Sequence, residues 1–125
     1  MQQLPPVFGP GSSIIFTSSL AVRASVGTIA AYVSTKSTIS TLVKHLAVTL
    51  GERGIRVNAV APGVVDTDMS NFVKNDAGRD YTLSIQALKR VAQPDDMAGA
   101  VAFLASDDAK WVTGEVLAVD GGAKL

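Results

Sequence analysis

Three side chains in this sequence have the types and the spacing that acid–base chemistry needs. Ser19 is followed thirteen positions later by Tyr32, and Lys36 stands four residues after the tyrosine. Residues four apart share one face of a helix, so the phenol of Tyr32 and the ammonium of Lys36 can approach each other. A nearby cation favours the phenolate form of a phenol. Together with the hydroxyl of Ser19, the pair predicts a proton-donating cluster suited to a carbonyl or an alcohol.

A strand and the helix after it must position this cluster. Residues 13–17 are an apolar run, which is typical of a buried parallel strand. Ser19 comes just after its carboxyl end, where ligands bind in open α/β sheets. A helix is predicted from about Ala30 to Leu50. Its apolar stripe consists of Ile39, Leu42, Val43, Leu46, Ala47 and Leu50.

The rest of the chain repeats this alternation of strands and helices. Residues 55–61 are predicted to form a second strand that ends at Pro62, and residues 115–119 a third. Between them, Pro94 with its acidic neighbours is typical of the first turn of a helix. A strand, a long helix and a strand predict a right-handed parallel crossover. The sequence therefore predicts an α/β fold with about three parallel strands and flanking helices.

The length of the chain, 125 residues, allows one domain at most, so residues 1–125 are assigned to one domain. Residues 1–12 contain three prolines and two glycines and are expected to be an irregular N-terminal segment. In residues 64–92 the hydrophobic pattern weakens. This segment is predicted to be a mobile lid over the strand ends, where substrates are often contacted.

Composition limits the partners that we expect. Eleven basic and eleven acidic residues balance, so nothing indicates binding to nucleic acid. The absence of cysteine excludes disulfides and thiolate metal sites, and helix capping explains the aspartates better than metal binding, so no metal site is predicted. No apolar run approaches the ~20 residues of a membrane span, and the first residues do not resemble a secretory signal. We therefore expect a cytoplasmic protein without a membrane segment.

The ordered combination of Ser19, Tyr32 and Lys36 resembles the catalytic signature of the short-chain dehydrogenase/reductase (SDR) family. The similarity continues through residues 55–63, with the sequence IRVNAVAPG, and through the VTGE and VDGG motifs near the end of the chain. The resemblance implies a partial Rossmann-like, doubly wound fold. This chain would correspond to the C-terminal half of the seven-stranded parallel sheet of that family.

The resemblance also implies roles for single residues. Tyr32 would be the general acid in carbonyl reduction and the base in alcohol oxidation. Lys36 would favour the ionised phenol and bind the nicotinamide ribose, and Ser19 would hold the substrate oxygen. The substrate would be a small carbonyl or alcohol compound, and the activity that of an NAD(P)-dependent oxidoreductase.

A nicotinamide cofactor, NAD or NADP, is implied at the second strand end. Pro62 and Gly63 would line the face of the nicotinamide ring, where a side chain would block it. Val65 would offer backbone groups to the carboxamide, and Thr67 would offer its hydroxyl to the carboxamide or a phosphate. Tyr32 and Lys36 would complete the set of cofactor-binding residues.

The glycine-rich strand–turn–helix with which the family binds most of its dinucleotide does not occur in this sequence. We therefore expect a truncated or split member of the family that needs a separate N-terminal half. The strand at residues 13–17 would then have an unpaired edge, which predicts a homo-oligomer or pairing with a complementary half. The alternative is a non-catalytic remnant that acts as a self-associating or partner-binding module.

Overall fold

A computed structural model of the chain describes residues 8–23 and 27–123. Its centre is a sheet of three parallel strands: β1 (Ser13–Thr17), β2 (Arg56–Pro62) and β3 (Val116–Val119). The strands lie in the order β1-β2-β3, so β2 is central. The predicted parallel α/β fold is confirmed, and the predicted bounds of β2 and β3 differ by one residue from those observed.

Helices cover both faces of the sheet. α1 (Ala30–Gly51) follows β1, whereas α2 (Asp76–Ile85) and α3 (Pro94–Ala105) lie between β2 and β3 in the chain. Short 3₁₀ helices occupy residues 20–23, 68–74 and 107–109. No helix in residues 8–23 and 27–123 has both the length and the hydropathy to cross a bilayer.

Alternate side chains of β2 belong to two hydrophobic clusters. Val57 and Ala59 pack with the buried stripe of α1, and Val60 packs with Leu104 of α3 on the opposite face. The buried residues of α1 are Val43, Leu46, Ala47 and Leu50. Four of the six apolar residues predicted for this stripe are thus fully buried, because they face the sheet directly.

A buried asparagine fastens β2 to the segment that leads into β3. Asn58 is fully buried, and its amide nitrogen donates to the carbonyl of Val112 at 2.9 Å. Its side-chain oxygen accepts a hydrogen bond from the amide of Glu115 at 3.1 Å. Asn58 therefore satisfies backbone groups at the join between β2 and residues 112–115.

The predicted start of α3 is also confirmed. Pro94 occupies its first turn, and the amide of Gln93 donates to the carboxylate of Asp96 at 2.7 Å. The same carboxylate receives two hydrogen bonds of 2.6 Å from the guanidinium of Arg90. These bonds, first from Arg90 and then from Gln93, lower the pKa of Asp96 from 3.8 to about 2.

The segment at residues 64–92 has more regular structure than its sequence pattern indicates. It contains the 3₁₀ helix at Asp68–Lys74 and the ten-residue helix α2. Asn75 caps α2, since its side-chain oxygen accepts a hydrogen bond from the amide of Gly78 at 2.8 Å. The sequence analysis missed α2, although Asn75 followed by Asp76 is a typical helix start.

Candidate active site

A pocket of about 500 Å³ opens where β1 and β2 end. Four of the predicted site residues line it: Ser19, Tyr32, Pro62 and Gly63. Its other lining residues are Leu20, Ala21, Ile29, Val64, Met69, Ser70, Phe72, Tyr81 and Ile85. The strand ends and the first turn of α1 thus bring Ser19 and Tyr32 to the lining of one cavity.

The two neighbouring serines have different surroundings. Ser18 is buried, its amide donates to the carbonyl of Val60 at 2.8 Å, and its hydroxyl donates to the carbonyl of Lys36 at 3.3 Å. Ser19 lines the pocket, and its hydroxyl oxygen accepts a hydrogen bond from the amide of Ala21 at 3.2 Å. Ser18 therefore joins β1 to α1, whereas Ser19 presents its side chain to the cavity.

Lys36 lies beside the tyrosine ring and is anchored to the end of β1. Its Nζ is 5.8 Å from the centroid of the Tyr32 ring, which is within the range of a cation–π contact. The same Nζ donates a hydrogen bond to the carbonyl of Thr17 at 2.9 Å. One turn of α1 thus fixes the ammonium against the phenol, next to the strand end that carries Ser19.

Gly63 has a structural reason to be glycine that the sequence analysis did not find. Its amide donates to the carbonyl of Val119 at 3.0 Å, which holds the end of β2 against β3. A Cβ atom built on Gly63 would lie 2.8 Å from the Cα of Asp120, closer than real side chains approach backbone. The turn after β3 therefore excludes a side chain here, whatever the pocket contains.

Three of the predicted cofactor contacts do not line the pocket: Lys36, Val65 and Thr67. Val65 is buried and forms an isolated parallel bridge with Ala92, next to which the amide of Asp66 donates to the Ala92 carbonyl at 2.9 Å. Thr67 is exposed, and its carbonyl accepts from the amide of Ser70 at 3.0 Å. Val64 lines the cavity in their place, and the roles of Val65 and Thr67 stay predictions.

Part of the apolar wall of the pocket comes from the segment that the sequence predicts to cover the strand ends. Met69 and Phe72 come from the 3₁₀ helix at Asp68–Lys74, and Tyr81 and Ile85 come from α2. The only signal in the sequence was the scatter of apolar residues through a segment that was predicted to cover the strand ends.

Within the described ranges, no group of three or more His, Cys, Asp and Glu side chains could hold a metal ion.

The chain matches a known family over almost its whole length. The family model described as "Enoyl-(Acyl carrier protein) reductase" matches residues 1–124. Dehydrogenase/reductase SDR family member 4 of Caenorhabditis elegans is 44% identical over 119 residues, which cover 91% of this chain and 45% of that protein. The 3-oxoacyl-(acyl-carrier-protein) reductase FabG of Staphylococcus epidermidis is 44% identical over 112 residues and is also covered to 45%. The chain therefore spans less than half the length of these relatives.

Solved structures with the same fold hold nicotinamide cofactors. A 4-hydroxyisoleucine dehydrogenase complexed with NADH superposes with a TM-score of 0.84 at 32% identity, over 88% of this chain and 46% of that one. The angucycline C-6 ketoreductase LanV with bound NADP also gives 0.84, at 34% identity, over 91% of this chain and 44% of that one. By the family model, the sequence relatives and the Rossmann-type fold, the chain belongs to the short-chain dehydrogenase/reductase family.

Proposed function

We propose that this chain carries the catalytic part of an NAD(P)-dependent oxidoreductase that exchanges hydride between a nicotinamide and a carbonyl/alcohol pair. One observation carries the proposal: Ser19 and Tyr32 line one pocket, and the ammonium of Lys36 lies 5.8 Å from the tyrosine ring. The family supports it, because the relatives include a protein named L-rhamnose 1-dehydrogenase (NAD(P)(+)), from Azotobacter vinelandii.

The residues at the pocket suit the nicotinamide end of a dinucleotide, either NAD or NADP. Pro62, Gly63 and Val64 line one side of it without a charged group, which suits the flat ring. Lys36 has three N–H donors, of which one bonds to the Thr17 carbonyl, so the others can reach ribose hydroxyls. We assign the carboxamide to the backbone of Val65 and the hydroxyl of Thr67. The bound cofactor supplies the hydride chemistry.

The protein residues then handle the proton. In reduction, the Tyr32 phenol donates its proton to the oxygen of the substrate carbonyl, and in oxidation the phenolate takes the proton from the alcohol. The Ser19 hydroxyl accepts a hydrogen bond from Ala21, so its own hydrogen can be donated to the same substrate oxygen. The Lys36 ammonium stabilises the phenolate. Proton transfer of this kind contributes about 10²–10⁴ in rate.

Two pairs of measurements test the proposal. Oxidation of NADH or NADPH in the presence of a panel of ketones is followed by absorbance, for the unmodified chain and for Tyr32→Phe. We expect Tyr32→Phe to lose about 10²–10⁴ of kcat. Lys36→Met should lose activity and weaken cofactor binding, whereas Lys44→Met, which removes an exposed lysine from the same helix, should retain both. Equal loss in the two lysine variants would refute the assignment.

A second function remains open because of the exposed edge of β1. Within the described ranges, no strand pairs with β1 on the side away from β2. A sheet edge of this kind favours pairing with another chain, so a non-catalytic, self-associating or partner-binding module is the alternative. The fluorescence of NADPH separates the two functions. A saturable change on adding the chain supports the oxidoreductase, and no change at millimolar cofactor supports the binding module.

A further inference from the structure

We infer that the pocket selects an uncharged carbonyl or alcohol compound with a bulky apolar group. This inference rests on the proposed function, because Ser19 and Tyr32 are taken to hold the reacting oxygen. The rest of the pocket wall, formed by the first turns after β1 and by the segments at residues 68–74 and 76–85, then contacts the remainder of the substrate.

The first argument is the absence of charge on the wall. Among the pocket-lining residues in the ranges 8–23 and 27–123, there is no Asp, Glu, Lys, Arg or His. The polar side chains are hydroxyls: Ser19, Tyr32, Ser70 and Tyr81. A carboxylate or phosphate on the substrate would lose water on entering without gaining a countercharge, which is strongly unfavourable. The lining therefore discriminates against ionised substrates.

The second argument is the exposure of the apolar wall. Met69 is 82% exposed, and Phe72, Tyr81 and Ile29 are 40–49% exposed. These four are among the ten exposed large apolar side chains in the described ranges, and all four line this one pocket. Exposed apolar patches of this kind mark binding sites, since covering them removes apolar surface from water. A substrate with an apolar body would cover them.

The third argument is size. The cavity of about 500 Å³ lies within the range of roughly 300–1,000 Å³ that is typical of small-molecule sites. The side formed by Pro62 and Gly63 is assigned to the nicotinamide, which leaves the Met69 and Phe72 side for the substrate. The flexible Met69 side chain can adapt to an aromatic or alicyclic group. The structure thus favours a ring-bearing ketone or secondary alcohol.

Binding of a fluorescent ketone tests this inference without turnover. The probe is 6-propionyl-2-(dimethylamino)naphthalene, a neutral aromatic ketone whose emission shifts to shorter wavelength in apolar surroundings. We expect saturable binding to the whole chain that Met69→Glu weakens about tenfold, because a carboxylate enters the wall. Val48→Glu is the matched control, since Val48 is 78% exposed on α1 and lies outside the pocket. It should bind the probe as the unmodified chain does.

Charge selectivity is tested with an anion of similar size. The probe 8-anilino-1-naphthalenesulfonate should bind more weakly than the neutral ketone, and Met69→Lys should improve its binding while weakening that of the ketone. Tighter binding of the anion to the unmodified chain would overturn the inference, as would equal effects of Met69→Glu and Val48→Glu. Circular dichroism of each variant confirms that the fold is retained.

A pair of substrates separates this inference from the proposed function. With NAD(P)H, 4-phenylbutan-2-one should be reduced with a kcat/KM at least about tenfold above that of 4-oxopentanoate, which carries a carboxylate. Reduction of the keto acid at an equal rate would refute the substrate class and leave the oxidoreductase intact. Selective probe binding without any nicotinamide oxidation would refute the oxidoreductase and leave an apolar ligand site.

Discussion

Gly63 and Gly99 differ in what surrounds the missing side chain. At Gly63 a Cβ atom would lie 2.8 Å from the Cα of Asp120, so the backbone after β3 would have to move. At Gly99, inside α3, a Cβ atom would meet nothing within 4 Å. The same substitution at the two positions should therefore have effects of opposite sign.

We predict that Gly63→Ala lowers the free energy of unfolding by about 1–3 kcal/mol, the usual cost of forcing extra volume into a packed site. Gly99→Ala should raise it by roughly 0.5–1 kcal/mol, because alanine favours the helix interior. Urea denaturation followed by circular dichroism measures both. If Gly63→Ala were as stable as the unmodified chain, the turn after β3 would not be the reason for this glycine.

Asp96 gives a pH dependence with a defined sign. Its pKa is lowered to about 2 in the folded chain from an ordinary value of 3.8, chiefly by its hydrogen bonds from Arg90. The carboxylate therefore stabilises the fold above about pH 3.8, and this contribution is lost as the pH falls toward 2. We expect Asp96→Asn to be less stable at neutral pH and this deficit to shrink on acidification.

Asp95→Asn is the matched control for this measurement. Asp95 also lies in the first turn of α3, so both variants lose a similar interaction with the helix dipole. Only Asp96 bonds to both Arg90 and Gln93. Thermal unfolding between neutral pH and pH 2 should separate the two variants, and identical pH profiles would contradict the assignment.

At the scale of elements, one buried side chain reinforces the join between β2 and the segment that leads into β3. Asn58 forms hydrogen bonds with backbone groups of Val112 and Glu115, and its side chain is fully buried. We predict that Asn58→Ala costs about 2 kcal/mol of unfolding free energy, since two backbone groups lose their partners. Asn71→Ala, at an exposed position, should change stability little. Equal urea midpoints for the two variants would exclude the fastening role.

Some elements could be predicted from the sequence because their patterns are long or strong. The stripe of α1 repeats over twelve residues, from Ile39 to Leu50, and β1 and β2 are apolar on both faces. By contrast, α2 has only ten residues, which give few repeats of the helical period; Asn75 caps it, and Thr82 is its buried residue. Its contribution to the pocket wall therefore could not be read from periodicity.

In the candidate site, too, positions set by the local sequence could be predicted, whereas positions set by contacts between distant residues could not. Ser19, Tyr32 and Pro62 could be assigned because each lies at a fixed offset from a strand end or helix start. The position of Val65 could not, because its bridge to Ala92 joins residues far apart in sequence. The reason for glycine at position 63 also lies in a distant segment, at Asp120.

For the molecule as a whole, the open side of β1 has a defined set of backbone groups. The ladder with β2 uses the carbonyl of Ser12 and the amide of Ser18, so alternate residues between them also face β2. The backbone groups of Ser13, Ile15 and Thr17 consequently point to the other side. On that side, Lys36 donates a hydrogen bond to the carbonyl of Thr17. The amide of Thr17 is the outward-facing donor nearest the carboxyl end of β1.

We predict that the chain self-associates through this edge and that Thr17→Pro weakens the association. Proline removes the outward amide, and it fits an edge strand because no ladder hydrogen bond to β2 is lost. Thr17→Val is the control, since it keeps the amide and the shape of an exposed side chain. Light scattering over a range of concentrations should give a mass above one chain for the unmodified protein and Thr17→Val, and a lower mass for Thr17→Pro. A monomer at every concentration would contradict the prediction, and association unchanged in Thr17→Pro would move the interface away from β1.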